Sequence, residues 1–216
     1  MSTGALTTTS YAVLGLLAVQ PWSTYELTRQ MDRSLGRLWP RAQSKLYEEP
    51  KKLVAHGLAE GSQEQVGRRS RTVYSITPDG RRALAAWLGE PGAGPVLEFE
   101  QLLQVFFSEH GTKDDALATI TAAGEWARAR SAESAAVGRQ YLEGTGPFPQ
   151  RIPQQQLTAR FLNDFYALVS DWSTWASGVV ERWPDDVRAA VVDRAVLEET
   201  VRRSEATAAG RRASDS

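Results

Sequence analysis

The apolar positions of the first ninety residues alternate with polar ones in the order helix, helix, helix, strand, polar turn, strand, helix. Val13, Leu14, Leu16 and Leu17 are apolar nearly all round, which predicts a buried helix over Ser10–Val19, capped by Thr8 or Thr9 and closed at Gln20-Pro21. Ser23 and Glu26 have the S-x-x-E spacing of a capping box, and Trp22 with Leu27 supplies a hydrophobic staple. A second helix therefore starts at Ser23 and runs to about Leu35, with Leu27, Met31 and Leu35 on one face and Gly36 at its end. Trp39-Pro40 makes a turn. A third helix is expected over Ala42–His56, with Leu46, Leu53 and Val54 facing inward and Gly57 as its cap. Pro50 lies inside it, where a proline removes one backbone bond and costs about 3 kcal/mol in a regular interior. A kink near Leu46–Pro50, or two short helices, is the expectation.

Leu58–Glu60 then reads as a short strand, Gly61–Ser70 as a polar loop with Gly67 at its tip, and Thr72–Ile76 as the β-branched and aromatic return strand. Thr77, Pro78 and Asp79 open a fourth helix that passes through Leu84, Trp87 and Leu88. A helix followed by a two-stranded basic hairpin and another helix is the pattern of a winged helix-turn-helix.

The stretch from Gly89 to Pro95 is a Gly/Pro linker, and only helical patterns follow it. Leu97, Phe99, Leu102, Leu103, Phe106 and Phe107 predict one apolar helix. A second is expected over Lys113–Leu142, with Leu117, Ile120, Trp126 and Val137. Gly144–Pro153 is a loop. The next helix, about Gln154–Trp183, carries Phe161, Phe165, Leu168, Trp172, Trp175 and Val179 at alternating spacings of four and three, an a/d seam. At 1.5 Å per residue it is about 45 Å long, more than a small domain covers alone, so a partner helix is expected, and the six seam residues are its candidate dimer interface. Pro184 stops it, Asp185–Arg203 is a last helix, and Ala206–Ser216 is expected as a disordered tail. The expected fold class is mainly α: a winged helix-turn-helix with a two-stranded wing over 1–90, and an all-α dimerisation and effector region over 96–205.

Composition narrows the chemistry. The 216 residues contain no Cys and two His, His56 and His110, which excludes disulfides and thiolate metal sites and leaves no cofactor or metal to expect. No apolar run is long enough for a bilayer, and MSTGALTTTSY has no basic n-region, so no membrane partner is expected and the default location is cytoplasmic. No glycine-rich phosphate loop and no His beside a plausible partner point to an enzyme. Asp114-Asp115 and Asp185-Asp186 sit at expected helix starts, where the helix dipole accounts for them. Charge is uneven: residues 1–90 carry 12 Lys and Arg against 8 Asp and Glu, and residues 91–216 carry 13 against 18. A basic front half joined to an acidic back half suits a DNA reader linked to a partner-binding module.

Candidate DNA contacts follow from that reading. Arg41, Gln43, Ser44, Lys45 and Tyr47 are the exposed N-terminal positions of the third helix, and a bidentate Arg, Lys or Gln contact to a base edge is worth about 1–3 kcal/mol of discrimination. Lys51 and Lys52 are placed for phosphates, as are Arg68, Arg69 and Arg71 beside the hairpin tip. The free N–H groups at Thr24 and Tyr25 could take a phosphate at the start of the second helix. Four of the seven Trp lie in the helical half, and Trp stacks on planar ligands. Phe106, Trp126 and Trp172 are the effector candidates, against the plainer reading that Trp172 and Trp175 are seam core.

Three blocks carry a family resemblance: TSYAVLGLLAVQPWSTYEL from Thr9 to Leu27, WPRAQSKLYEEPKKLVAHGLAE from Trp39 to Glu60, and RTVYSITPDGRRALAAWL from Arg71 to Leu88. Tyr25-Glu26-Leu27, Leu46-Tyr47, Gly57-Leu58 and Tyr74-Ser75-Ile76-Thr77 fall in the order and spacing of the PadR family of transcriptional repressors, which residues 6–90 resemble. The family usually has His-Gly where this chain has Ser23-Thr24, and Pro and Leu where it has Glu48 and Pro50. The resemblance implies a homodimer on a palindromic DNA operator, a helical C-terminal dimerisation region and, in some members, a small aromatic or phenolic effector. The alternative reading is a winged-helix adaptor that binds protein and not an operator.

Overall fold

The structure, a computed structural model, describes residues 5–40, 43–66 and 69–209, and for residues 43–45, 66 and 69 it describes the backbone alone. The chain divides into two compact units, Met1–Pro95 and Val96–Ser216.

In the first unit, α1 (Thr8–Leu17) is the buried centre. Val13, Leu14, Leu16 and Leu17 are all in the core, as their all-round pattern predicts. Its cap is Thr7, one residue earlier than expected, because Ser10 completes a capping box with Thr7. A two-residue strand, β1 (Trp22–Ser23), leads into α2 (Thr24–Leu35), whose capping box is the Ser23/Glu26 pair read from the sequence. Trp22 packs on the core that contains Leu27 and donates its indole N–H to the Leu16 carbonyl at 2.9 Å.

Helix α3 (Gln43–Ala55) runs unbroken through Pro50, so the expectation of two short helices is corrected. Leu46, Pro50 and Leu53 form its buried stripe at i, i+4 and i+7, and the proline ring is fully enclosed. Burying an aliphatic side chain of comparable size is worth about 1.5–3 kcal/mol. That offsets most of the cost of the missing backbone bond. Val54, expected inside, is 38% exposed, since it lies a further 100° round the helix from Leu53. The helix ends as predicted at Gly57, which has φ +70°. Leu58 N–H donates to the Leu53 carbonyl and Gly57 N–H to the Val54 carbonyl, both at 2.9 Å, which is the Schellman pattern.

The wing is longer than the sequence pattern suggests. β2 (Ala59–Val66) pairs antiparallel with β3 (Arg69–Ile76), from Ala59↔Ile76 to Val66↔Arg69, and β1 adds a third strand beside β3 through Trp22↔Tyr74. Most of the expected polar loop is therefore strand. Its outer half is held by polar cross-strand pairs, with Gln63 donating to Thr72 at 2.9 Å and Ser70 donating to Gln63 at 2.8 Å. Such a ribbon has no buried face, so hydrophobic alternation cannot report it.

Thr77 caps α4 (Pro78–Leu88) and donates its hydroxyl to the Gly57 carbonyl at 2.7 Å. Trp87 stacks on Tyr11 at 5.1 Å, which fastens α4 back to α1.

In the second unit, α5 (Glu100–Phe106) is shorter than expected: Val96 and Leu97 are exposed and outside it, and none of its residues is buried. α6 (Lys113–Leu142) has the predicted bounds and is capped by a Thr112/Asp115 box. It packs along α7 (Ile152–Val180). The buried residues of α7 are Tyr166, Val169, Ser173, Ala176 and Val180, each one position after a residue of the expected seam. They meet Ala116, Ile120, Ala123, Gly124 and Ala127 of α6. Small residues let the two backbones approach, and Ser173 donates to the Ile120 carbonyl at 2.8 Å. Lys113 donates to the Glu181 and Trp183 carbonyls, both at 2.8 Å, and so closes the C-terminal end of α7.

The last helix is α8 (Arg194–Ala208), capped by Asp193. The stretch from Asp185 holds only one 3-10 turn, Val187–Ala189, because Asp186 caps locally and the chain then extends to Asp193. Residues 206–208 belong to α8 and not to a tail, and residues 210–216 lie outside the described residues. Among the described residues no helix is long and apolar enough to cross a membrane.

A β-carbon added at Gly80 would lie 2.1 Å from the Leu58 carbonyl oxygen and 2.8 Å from Ile76 Cγ1. Gly80→Ala should therefore push α4 off the end of α3 and lower stability by about 1–3 kcal/mol. A urea unfolding curve reads this directly, and an unchanged midpoint would mean that α4 is not seated there.

Candidate nucleic-acid interface

The position of α3 is set by a polar tie to α1. The Ser10 hydroxyl is fully buried, donates to Glu49 at 2.7 Å, and accepts from Lys52 at 3.2 Å and from the Thr7 N–H at 3.0 Å. One donor and two acceptors are all that a hydroxyl offers, so Ser10 is saturated. Lys52, expected to reach phosphate, is instead turned towards Glu49, at 3.8 Å, and is only 20% exposed.

On the outer side of α3, Tyr47 is 41% exposed. Lys51 pairs with Glu48 at 3.2 Å in full solvent, a contact worth about 0–1 kcal/mol and easily exchanged for a phosphate. The side chains of Gln43, Ser44, Lys45 and Arg69, and the whole of Arg41 and Arg68, lie outside the described residues. Thr24 is the first residue of α2 and half-buried, so its N–H stands at the helix end as expected. Next to it Tyr25 is 61% exposed, with the Arg29 guanidinium 5.8 Å above its ring. The sequence points to the backbone N–H of Tyr25, whereas the structure adds its ring and Arg29 to this surface. Their i, i+4 spacing is the signal that was available.

Arg71 is the largest departure from expectation. Its guanidinium bonds to Glu26 at 2.9 Å and to Glu64 at 3.1 Å. Two carboxylates already neutralise it, so in the DNA-free chain it links the wing to α2 and is not an open phosphate probe. Glu64, then Glu26, hold the guanidinium above its ordinary pKa. The Glu26 carboxyl is held below the usual glutamate range, first by the Ser23 hydroxyl, then by the Ser23 N–H, with Arg71 adding to both. The pairing of Glu64 with Arg71 follows from the strand register, which the short strands read from sequence did not reach.

In the second unit the apolar stripe divides. Phe161, Leu168 and Trp175 are 61, 63 and 52% exposed, while Phe165, Trp172 and Val179 sit half-buried beside the α6 contact. The effector candidates divide as well. Trp126 and Trp172 both lie against Phe99, at 6.5 and 6.4 Å between ring centres, and Trp126 also meets Phe165 and Tyr166. Phe106 is not in that cluster: it is 75% exposed and packs edge-on against Phe107 at 5.0 Å. A cavity of about 500 Å³ opens beside Phe107, lined also by Gln104, Ser108, Thr112, Asp115 and Thr119, and no Trp lines it. Among the described residues no group of three or more His, Asp or Glu is placed to hold a metal.

Residues 13–86 match the model of the transcriptional regulator PadR-like family. Over these residues the chain is PadR-like. This PadR-like domain is 34% identical over 82 residues to a probable transcriptional regulator of Mycobacterium tuberculosis, covering 38% of this chain and 43% of that one. It is 33% identical over 79 residues to the negative transcriptional regulator PadR of Bacillus subtilis, covering 36% and 43%. The chain thus spans less than half the length of these curated relatives. Family and relatives are transcriptional regulators and not enzymes. The fold is that of Bacillus subtilis PadR in complex with operator DNA, with a TM-score of 0.69 at 21% identity, covering 79% of this chain and 98% of that one. The same protein in complex with p-coumaric acid gives a TM-score of 0.64 at 21% identity, covering 80% and 98%. The PadR-like winged helix was therefore legible from its three sequence blocks.

The depressed pKa of Glu26 fixes a sign. Its contribution to stability is complete above the ordinary glutamate pKa and is lost as pH falls through the depressed one. Glu26→Gln should lower stability at neutral pH and make the acid limb of the stability profile shallower. Urea midpoints of both proteins across the acid range test this, and parallel profiles would contradict it.

Proposed function

We propose that this protein is a homodimeric transcriptional regulator that binds a palindromic DNA operator, acts as a repressor in the cytoplasm, and is released by a small aromatic or phenolic effector. The observation that carries the reading is the PadR-like winged helix itself, with α3 fixed to α1 and a basic hairpin beside it. The N-terminal end of α3, with Arg41, Gln43, Ser44, Lys45 and Tyr47, reads base edges. Lys51, the α2 N-terminus at Thr24, and the wing at Arg68 and Arg69 hold phosphates. Two-fold symmetry puts two α3 helices in successive major grooves, about 34 Å apart.

The exposed ladder Phe161, Leu168, Trp175 supports the dimer, because large apolar side chains repeating every seven residues on a helix of 29 residues form a seam for a second copy. Support for an effector is chemical: p-coumaric acid is bound by a protein of the same fold, and Trp126 and Trp172 share a ring cluster that a planar phenol could enter.

Lys45→Ala should weaken operator binding selectively, by roughly tenfold or more, as expected for the loss of about 1–3 kcal/mol of base discrimination. Arg68→Ala should weaken binding to every sequence and reduce the salt slope by about 0.9. Gel-shift titrations at several salt concentrations separate the two, and operator affinity untouched by both substitutions would refute this DNA face. Leu168→Glu should convert the dimer to a monomer in sedimentation, and an unchanged sedimentation coefficient would remove the α7 ladder from the interface.

A further inference from the structure

The Arg71 guanidinium lies between Glu26 and Glu64 on an open surface, with the three side chains 41, 41 and 47% exposed. Ion pairs in such a setting are weak, about 0–1 kcal/mol each. A phosphate arriving at the wing would compete with them on nearly equal terms. The cluster as a whole is one cation with two anions, so its net charge is negative, and it joins α2 to the hairpin whose sequence also carries Arg68 and Arg69. Glu26 is committed elsewhere too, since it completes the α2 capping box with Ser23. Glu64 has no such second duty: it faces Arg71 across the strand pair and bonds to it through two guanidinium nitrogens, at 3.4 and 3.1 Å.

We propose that Glu64 and Glu26 are built-in competitors for Arg71, which hold it from DNA phosphate and keep the wing's sequence-independent grip below what its arginines could deliver. This rests on the DNA-binding reading above. The consequence is a division of labour. A phosphate contact contributes to operator and background alike, so holding Arg71 back lowers both affinities and leaves the base contacts to set their ratio. Discrimination is then left to α3.

The test uses the full chain and a short random-sequence duplex titrated across salt concentrations. Glu64→Gln keeps the shape and removes one negative charge. It should tighten non-specific binding roughly three- to fivefold, the equivalent of one exposed ion pair at the upper end of its range. It should also steepen the plot of log affinity against log salt by about one unit, because a freed cation now displaces a counterion. Glu26→Gln, which a capping box tolerates, should move binding in the same direction. In an Arg71→Ala background, Glu64→Gln should gain less than about twofold, the remainder expected from distant, screened charge. An equal gain without Arg71 would overturn the proposal, since removal of any negative charge would then suffice. A loss of affinity in the otherwise wild-type chain would also overturn it, by showing that the ion pair places the wing productively. Failure of the unaltered chain to bind any duplex at low salt would bring down the DNA-binding reading itself, which distinguishes the two failures.

Discussion

Everything in the front unit depends on how α3 is fixed to α1. A buried apolar stripe, Leu46, Pro50 and Leu53, supplies the contact area, and the saturated Ser10 hydroxyl supplies direction by joining Glu49 and Lys52 to the first turn of α1. An apolar stripe alone tolerates sliding and rotation, whereas a buried hydroxyl with all its valences used does not. From that fixed helix the chain passes through the left-handed Gly57 into β2, and α4 returns to close on the same point through Thr77 and Gly80. Helix α3 and the wing therefore take their positions from one core.

The two units use opposite packing solutions. The front unit fills its core with large aliphatic side chains around α1. In the back unit α6 and α7 meet through Ala, Gly and Ser together with Ile120, Tyr166, Val169 and Val180, and Phe161, Leu168 and Trp175 of α7 are left outside. That choice is what makes a long apolar ladder available on a chain whose own two helices are already paired. The same economy governs charge. Arg71 and Lys52 look like phosphate ligands by composition, yet each is engaged by carboxylates, and the cations left for a polyanion are fewer than a count of Lys and Arg suggests.

The legible parts of the fold were those with a local chemical cause. The Ser23/Glu26 box, the Gly57 cap, the Thr77-Pro78 start and both ends of α6 follow from residues within a few positions of each other. The parts that escaped depend on partners far along the chain. Pro50 is accepted because its ring is buried with Leu46 and Leu53 on the inner face of α3. The wing extends to Val66 and Arg69 because polar side chains pair across it, which hydrophobic periodicity does not record. The α7 contact was displaced by one residue because Ser173 and Ala176 carry little hydrophobic signal, and a close helix approach selects for size. At the interface, residue type marked the right elements, but only geometry separated Lys51 from Lys52 and revealed the hold on Arg71.

The central claim is that α3 and the hairpin form the surface that meets DNA while the α6–α7 pair does not. Amide shift mapping of the isotopically labelled chain during titration with an operator duplex tests it most directly. The account predicts changes concentrated at residues 23–25, 41–47 and 64–71, with the buried face of α6 from Ala116 to Ala127 undisturbed. Changes confined to the helices beyond residue 96, with residues 41–47 silent, would contradict it.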